Sequence, residues 1–337
     1  MADKVVAVLG ATGVVGTQML QCLEERSFPV KRLVPLASAR SQGRSVVFGG
    51  EELPVREARP ETFDGVDIVL GAAGDAQARE LLPEAARRGA VCVDNSHAFR
   101  LDEDVPLVIP EINAEDIQDH PRGIISNPNC ATTIGLVPTW PLHRVAGLRR
   151  MIVSTYQAAS GAGMGGLKEL ERESACIMRG EGITETAPFA YQLAFNLIPQ
   201  IGGFADNDYT SEELKMQNEG RKIMHLPELC FNCTCVRVPI MRSHSESITC
   251  EFDRPITPDE AREILSAAPG VKLVDDPAQL RYPMPLDASD QDLVLVGRIR
   301  RDLSAPDGAN ALTFFCCGDQ IRKGAATNAV QIAEHLV

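Results

Sequence analysis

Short apolar runs alternate with helical periodicity through the first half of the chain. Residues 5–9 are uninterruptedly apolar and end at Gly10, which predicts a buried strand. From Val14 to Glu25 the apolar positions 15, 19, 20 and 23 fall on one stripe of a 3.6-residue repeat, which predicts a helix. Further strands are expected at 33–37, 66–70, 91–93, 107–109 and 123–125, and a helix at 75–88 with Asp75 as its cap. Short strands alternating with helices predict a parallel α/β sheet.

The pattern changes after about residue 130. A strand is expected at 149–157, an amphipathic helix at 167–178, an irregular stretch at 180–210 and a charged helix at 211–224. Residues 232–240 and 245–252 read as antiparallel strands, the second carrying Glu246, Ile248, Cys250 and Phe252 on one face. Thr257-Pro258-Asp259-Glu260 has the form of a helix start, with a capping Thr, Pro at the first helical position and Glu three residues on. Strands at 293–298 and 311–317 and a closing helix at 321–336 complete an α+β second part. No repeat or low-complexity linker is visible.

Length and charge narrow the function classes. At roughly 150 residues per domain, 337 residues predict two domains. Residues 44% apolar and 23% charged are enough for a sizeable core, which excludes a disordered chain, a collagen and a disulfide-stapled miniprotein. No apolar run reaches the roughly 18 residues of a membrane span. A formal net charge of −13 makes nucleic acid and membrane surfaces poor partners, while small anions can still bind in a local basic pocket. Lys4 with the apolar stretch after it could open a signal peptide, but glycines at 10, 13 and 16 and Gln18, Gln21 and Glu24 read against it. The ten cysteines lack a disulfide-framework spacing, and Cys92, Cys235, Cys250, Cys316 and Cys317 lie in strand-like runs. Buried thiols in a reducing cytoplasm are the simpler expectation.

Three segments carry chemistry. Gly10-Ala11-Thr12-Gly13-Val14-Val15-Gly16 follows a strand and opens a helix, which suits a pyrophosphate at a helix N-terminus. The next strand ends in Ala37-Ser38-Ala39-Arg40-Ser41, with no acid for a ribose 2′-OH. Arg40, with Ser38 and Ser41, either pairs with a 2′-phosphate, which predicts NADP, or is a solvated loop arginine. Ser126-Asn127-Pro128-Asn129-Cys130 places Cys130 at a helix start, where it is either an activated thiolate or a packed thiol. His244, seven residues after Arg237, is a candidate base for that thiol, or a structural histidine.

In order along the chain stand GATGVVG (10–16), SARSQG (38–43), DNSHAFR (94–100), SNPNCATT (126–133), QAASGAG (157–163), NEGRK (218–222), RVPIMRSHSES (237–247), VGRIRRD (296–302) and GDQIRKGAATNAVQ (318–331). With this set the chain resembles the bacterial aspartate-semialdehyde dehydrogenases over essentially its whole length. The resemblance implies a Rossmann-type NADP-binding domain (1–129 plus 318–337), with cofactor ligands among Gly10, Thr12, Gly13, Val14, Val15, Gly16, Ser38, Arg40 and Ser41. It implies an α+β catalytic and dimerisation domain at 130–317.

The resemblance also implies roles. Cys130 would form the acyl-enzyme, His244 act as acid–base, and Gln157 orient the substrate. Arg237 would bind the substrate carboxylate and Glu219 its amino group. Arg100 and Lys222 would hold phosphate, and Ser160, Gly161 and Gln320 the nicotinamide end. Substrates would be aspartate semialdehyde, 4-phosphoaspartate and inorganic phosphate. The enzyme would be a cytoplasmic homodimer that needs no metal, with 180–210 as an inter-subunit contact.

Two features depart from the expected pattern. His97 stands where a small polar residue is usual, and Cys230, Cys233 and Cys235 form C-x-x-C-x-C with His225 as a possible fourth zinc ligand. The rival readings are an N-acetyl-glutamyl-phosphate reductase, where Gly precedes the Cys, a glyceraldehyde-3-phosphate dehydrogenase, where Ser does, and a non-catalytic homologue. Asn129 here, and Cys130, Gln157, Arg237 and His244 together, read against them.

Overall fold

The computed structural model describes residues 3–41, 43–306 and 310–337; Gln42, within the second of the motifs above, lies outside them. The chain forms two compact units, Met1–Cys130 with Gly324–Val337, and Ala131–Lys323. Among the described residues no helix is long and apolar enough to cross a membrane.

The first unit runs β1 (Lys4–Leu9), α1 (Val14–Glu25), β2 (Val30–Ala37), β3 (Ser45–Phe48), β4 (Glu51–Pro54), β5 (Arg56–Glu57), β6 (Ile68–Gly71), α2 (Asp75–Arg87), β7 (Val91–Asp94), α3 (Pro110–Asn113) and β8 (Ile124–Ser126). Its main sheet has the order β5-β2-β1-β6-β7-β8, and every pairing in it is parallel. The chain leaves β1 in one direction for β2 and returns on its other side with β6. This switch point opens a crevice at the carboxyl end of β1, the usual ligand position in such sheets. Both faces of β1 are covered, which is why it reads as an unbroken apolar run. Val6 and Val8 pack with Met19, Leu20 and Leu23 of α1 and with Ala329 and Val330 of the closing helix. Ala7 and Leu9 pack with Ala78, Leu81 and Leu82 of α2.

Three expectations change here. Gly74, not Asp75, caps α2. Asp75 is the first helical residue, and its carboxylate accepts from the His97 amide at 2.9 Å. Residues 107–109 form a single bridge, Leu107 to Ser126, rather than a strand. Pro106 and Pro110 bracket them and cannot donate to a ladder. Asn113 replaces the ladder by taking the Ile109 amide and donating to the Leu107 carbonyl. The β3–β4 hairpin was not expected, though Gly49-Gly50 at its turn, both at positive φ, carry its signal.

The second unit comprises α4 (Cys130–Ala146) from its second residue on, β9 (Leu148–Gln157), α5 (Gly163–Met178), α6 (Ser211–Ile223), β10 (Cys230–Arg237), β11 (His244–Phe252), α7 (Pro258–Ser266), β12 (Val271–Leu273), α8 (Pro285–Ala288), β13 (Val294–Arg301) and β14 (Ala311–Gly318). The sheet order is β10-β9-β11-β14-β13-β12. β10 and β11 run antiparallel, as expected, but are not neighbours in the sheet. β10 runs parallel to β9, and β11 lies antiparallel on β9's other side. The inward alternation of β11 is as expected, with Glu246, Ile248, Cys250 and Phe252 all buried. Capping boxes start α6 at Thr210 and Glu213 and α7 at Thr257 and Glu260. The expected closing helix is a π-helical turn at 322–326 followed by α9 (Thr327–Glu334), which belongs to the first unit.

Candidate active site

In the first unit the loop after β1 is shaped by two close approaches. Gly10 has φ +89, and a Cβ there would stand 2.6 Å from the Ala72 carbonyl oxygen, so no other residue fits without strain. A Cβ on Gly16 would collide with the Gly10 carbonyl, so Gly16 serves the packing of α1 against the loop. Gly13 is the N-cap of α1, and no side chain caps the helix. The amides of its first turn are oriented as an anion would need them.

A cavity of about 420 Å³ opens at this point, and its lining includes Gly10, Thr12, Gly13, Ser38, Arg40 and Ser41. Thr12 Oγ1 and Ser41 Oγ are 3.1 Å apart, which joins the glycine loop to the Ser38–Ser41 turn. Val14 and Val15 open α1 without lining the cavity. Glu57, Gln77 and Glu80 do line it, and sequence reasoning did not single them out. Arg100 follows β7, is buried, and donates from Nη2 to the Asn95 carbonyl at 2.9 Å. Cys130 is half-buried as the first residue of α4.

The second unit gathers its residues at one sheet edge. β9 and β10 are parallel and in register, so Gln157 and Arg237, their last residues, are direct partners. β11 is antiparallel to β9, so its first residue, His244, arrives at the same edge. All three are at least nine-tenths buried. His244 Nδ1 accepts from the Ala158 amide at 3.1 Å. That bond places the proton of the neutral imidazole on Nε2, 3.4 Å from Gln157 Nε2. Gln157 is held from two sides, donating to Glu212 at 3.2 Å and accepting from Thr155 Oγ1 at 3.1 Å. Arg237 Nη1 donates to the Ala158 carbonyl at 2.6 Å, and its guanidinium lies 5.9 Å from the Phe189 ring centroid. Burial and the Arg237 charge pull the His244 pKa down to about 3, against the opposing pull of Glu212, so the imidazole is neutral.

Gly161 lies against this group. A Cβ on it would stand 2.7 Å from Arg237 Nη1 and 3.2 Å from the His244 ring. Gln320 donates to Ser160 Oγ and accepts from the Ser243 amide at 2.7 Å, so both residues are brought beside His244. Ser243 itself has φ +73, a conformation rare outside glycine. Glu219 is fully buried in α6, with Lys222 half-buried one turn on. Arg237 also lines a cavity of about 310 Å³ with Phe189, Ile198 and Gln200. Glu212 and Ser243 were missed by sequence reasoning; Glu212 has no motif of its own, and Ser243 stood in view next to His244.

The alternation of β10 splits the cysteine cluster, with Cys230 on the face opposite Cys233 and Cys235. Among the described residues no group of three or more His, Cys, Asp and Glu is placed to hold a metal ion.

Two family models match the chain: the semialdehyde dehydrogenase NAD binding domain over residues 5–120 and the semialdehyde dehydrogenase dimerisation domain over residues 140–323. The aspartate-semialdehyde dehydrogenase of Bacillus subtilis is 50% identical, with 98% of this chain and 96% of the relative covered. That of Synechocystis is 48% identical, with 98% and 97% covered. The crystal structure of aspartate semialdehyde dehydrogenase II of Vibrio cholerae, complexed with ASA, superposes with a TM-score of 0.96 at 42% identity, over 100% of this chain and 98% of that one. With a Rossmann-type unit, a mixed-sheet unit and full-length similarity of this degree, the chain belongs to the aspartate-semialdehyde dehydrogenase family.

Proposed function

We infer that the chain catalyses the reversible, NADP-dependent conversion of 4-phospho-L-aspartate to L-aspartate 4-semialdehyde and inorganic phosphate, as a homodimer in the cytoplasm. The product leads to lysine by way of diaminopimelate, and to threonine, methionine and isoleucine. The parallel-sheet unit takes the cofactor, and the mixed-sheet unit carries substrate recognition and dimerisation. The observation that carries the reading is the convergence of Gln157, Arg237 and His244 at one sheet edge.

The residues of the first unit suit NADP. The Gly10 turn, which the Ala72 carbonyl closes to any Cβ, shapes the loop that would receive a pyrophosphate, the N-terminus of α1 has no side-chain cap, and Arg40 shares the cavity with Ser38 and Ser41 as a 2′-phosphate site. When bound, the reduced cofactor supplies the hydride that converts a thioester carbonyl to the aldehyde level. Ser160, Gly161 and Gln320 would hold its nicotinamide end.

Cys130 is the nucleophile. Its place at a helix start favours the thiolate. The thiolate attacks the acyl carbon of the acyl phosphate, the C–O bond to phosphate breaks, and a thioester remains. Arg100 and Lys222 receive the departing phosphate, Arg237 grips the substrate carboxylate through its planar fork, and Glu219 pairs with the ammonium. Gln157 and the Nε2–H of His244 donate toward the carbonyl oxygen as negative charge develops on it. Collapse of the thiohemiacetal alkoxide expels the thiolate and frees the aldehyde. A substrate carboxylate on Arg237 cancels the charge that depresses His244, so the imidazole becomes more basic once substrate is bound.

The test is NADPH formation from aspartate semialdehyde and NADP⁺ with and without phosphate. A phosphate-dependent rate is expected. No turnover, or the same rate without phosphate, would overturn the reading. In Cys130→Ser turnover should fall almost completely while NADPH binding persists, because the alcohol keeps the shape and loses the nucleophile.

A further inference from the structure

Away from the proposed catalytic residues, three sulfur atoms without a role lie close together. Cys233 and Cys235 point to the same face of β10, toward α6 and its Met216. The Cys233 and Cys235 Sγ atoms are 3.6 Å apart, Cys233 Sγ is 3.2 Å from Met216 Sδ, and Cys235 Sγ is 4.0 Å from it. All three side chains are buried. The centre of this triangle lies roughly one metal–sulfur bond, about 2.3 Å, from each sulfur. Two thiols and a thioether form a soft, polarisable donor set that selects Cu(I) over harder ions. A zinc ion would want a fourth ligand, and Cys230 is on the other face of the strand.

We propose that Cys233, Cys235 and Met216 form a trigonal three-sulfur site for Cu(I). The ion arrives as Cu(I), and no electron is transferred. One thiol gives its proton to solvent as the copper–thiolate bond forms; the second thiol and the thioether coordinate through lone pairs. One positive charge enters and one leaves, so the occupied site is neutral. That matters in a buried interior that already holds the Glu213 and Glu246 carboxyl groups, where an uncompensated charge is costly. A divalent ion would have to displace both thiol protons to reach the same neutrality. Occupancy would tie α6, which carries Glu219 and Lys222, to β10, which ends at Arg237.

The test is anaerobic equilibration of the full chain with Cu(I) buffered by bicinchoninate. Copper retained per chain is compared with that in Cys233→Ala/Cys235→Ala and in Met216→Leu. Met216→Leu conserves volume and should fold normally, as thermal unfolding without copper would verify. The unaltered chain should retain one copper more than the double variant. Met216→Leu should hold that copper roughly tenfold or more weakly, a loss of about 1.4 kcal/mol or more. X-ray absorption should show three sulfurs around the retained ion. Equal retention by the unaltered chain and the double variant would overturn the proposal. So would an affinity unchanged in Met216→Leu, or a two-coordinate spectrum. If the double variant does not fold, Met216→Leu and the absorption spectrum decide alone.

Discussion

Gly161 shows how a single missing side chain can define a site. Arg237 Nη1 and the His244 ring occupy the space that a Cβ would need. Gly161→Ala should therefore displace the arginine fork or tilt the imidazole, and activity is sensitive to displacements of this size. We expect kcat/KM for aspartate semialdehyde to fall at least about tenfold, with the thermal midpoint little changed; an unchanged kcat/KM would mean that the neighbours relax without consequence. Arg40 makes a separate case. Arg40→Ala should weaken NADP by roughly ten- to a hundredfold, from a charge-assisted contact of about 1.5–3 kcal/mol, and leave NAD nearly unaffected. Titration of both cofactors checks it, and equal weakening would assign Arg40 to its loop. At this scale much of the site was legible, because glycines and a helix-start cysteine announce backbone geometry in the sequence itself. Glu212 was not legible. It holds Gln157 across 55 positions of sequence, and nothing local marks it.

Elements decide what residues alone cannot. Gln157 and Arg237 are neighbours because β9 and β10 run parallel, and His244 joins them because β11 returns antiparallel. From sequence, 232–240 and 245–252 read as antiparallel strands, and short connections usually join neighbours. The structure inserts β9 between them. Alternation within a strand reports which face is buried but not which strand lies alongside, so the inward residues of β11 were legible and its partner was not. The convergence makes a pH prediction. Without substrate, burial and the Arg237 charge hold the His244 pKa at about 3. A bound substrate carboxylate compensates Arg237 and raises it. An acid-side limb due to His244 should therefore lie at higher pH in kcat than in kcat/KM, since the first reports the complex and the second the free enzyme. Arg237→Lys should weaken the compensation, because a point charge pairs less well with a carboxylate than the planar fork does. The separation of the two limbs should shrink and both reaction directions should slow. Identical limbs in the unaltered enzyme would show that His244 does not sense the Arg237 partner.

Across the whole molecule, the two-unit organisation was visible in the change from strand–helix alternation to mixed strands, yet the stability consequence of one buried group was not. Glu246 alternates inward with His244, Ile248 and Cys250 on β11 and is fully buried. Neither carboxyl oxygen has a hydrogen-bond partner among the described residues. One of them occupies the space where a Cβ on Gly135 of α4 would stand, so the glycine and the carboxyl fit only as a pair. Cys233, Cys316 and Cys317 feel it across the strands, and none of them is a cation. Burial therefore pushes the Glu246 pKa well above its ordinary value, and the native state holds a neutral acid. In the unfolded chain the same group ionises near pH 4.3. Above that pH the unfolded state has lost a proton that the native state keeps. Stability is thus fully present below about pH 4 and falls as pH rises, by about 1.4 kcal/mol per unit, until the native acid itself ionises. Glu246→Gln removes the titration. The slope of unfolding free energy between about pH 5 and pH 8 should become more positive in the variant by up to that amount. Slopes are compared, rather than absolute stabilities, because the amide brings unsatisfied donors of its own. Glu246→Met, which is apolar and of similar length, should change the slope in the same way. Denaturant unfolding across the pH range measures it. Parallel curves for the parent and both variants would mean that Glu246 is ionised in the native fold, and that its burial is matched by a charge the described packing does not supply.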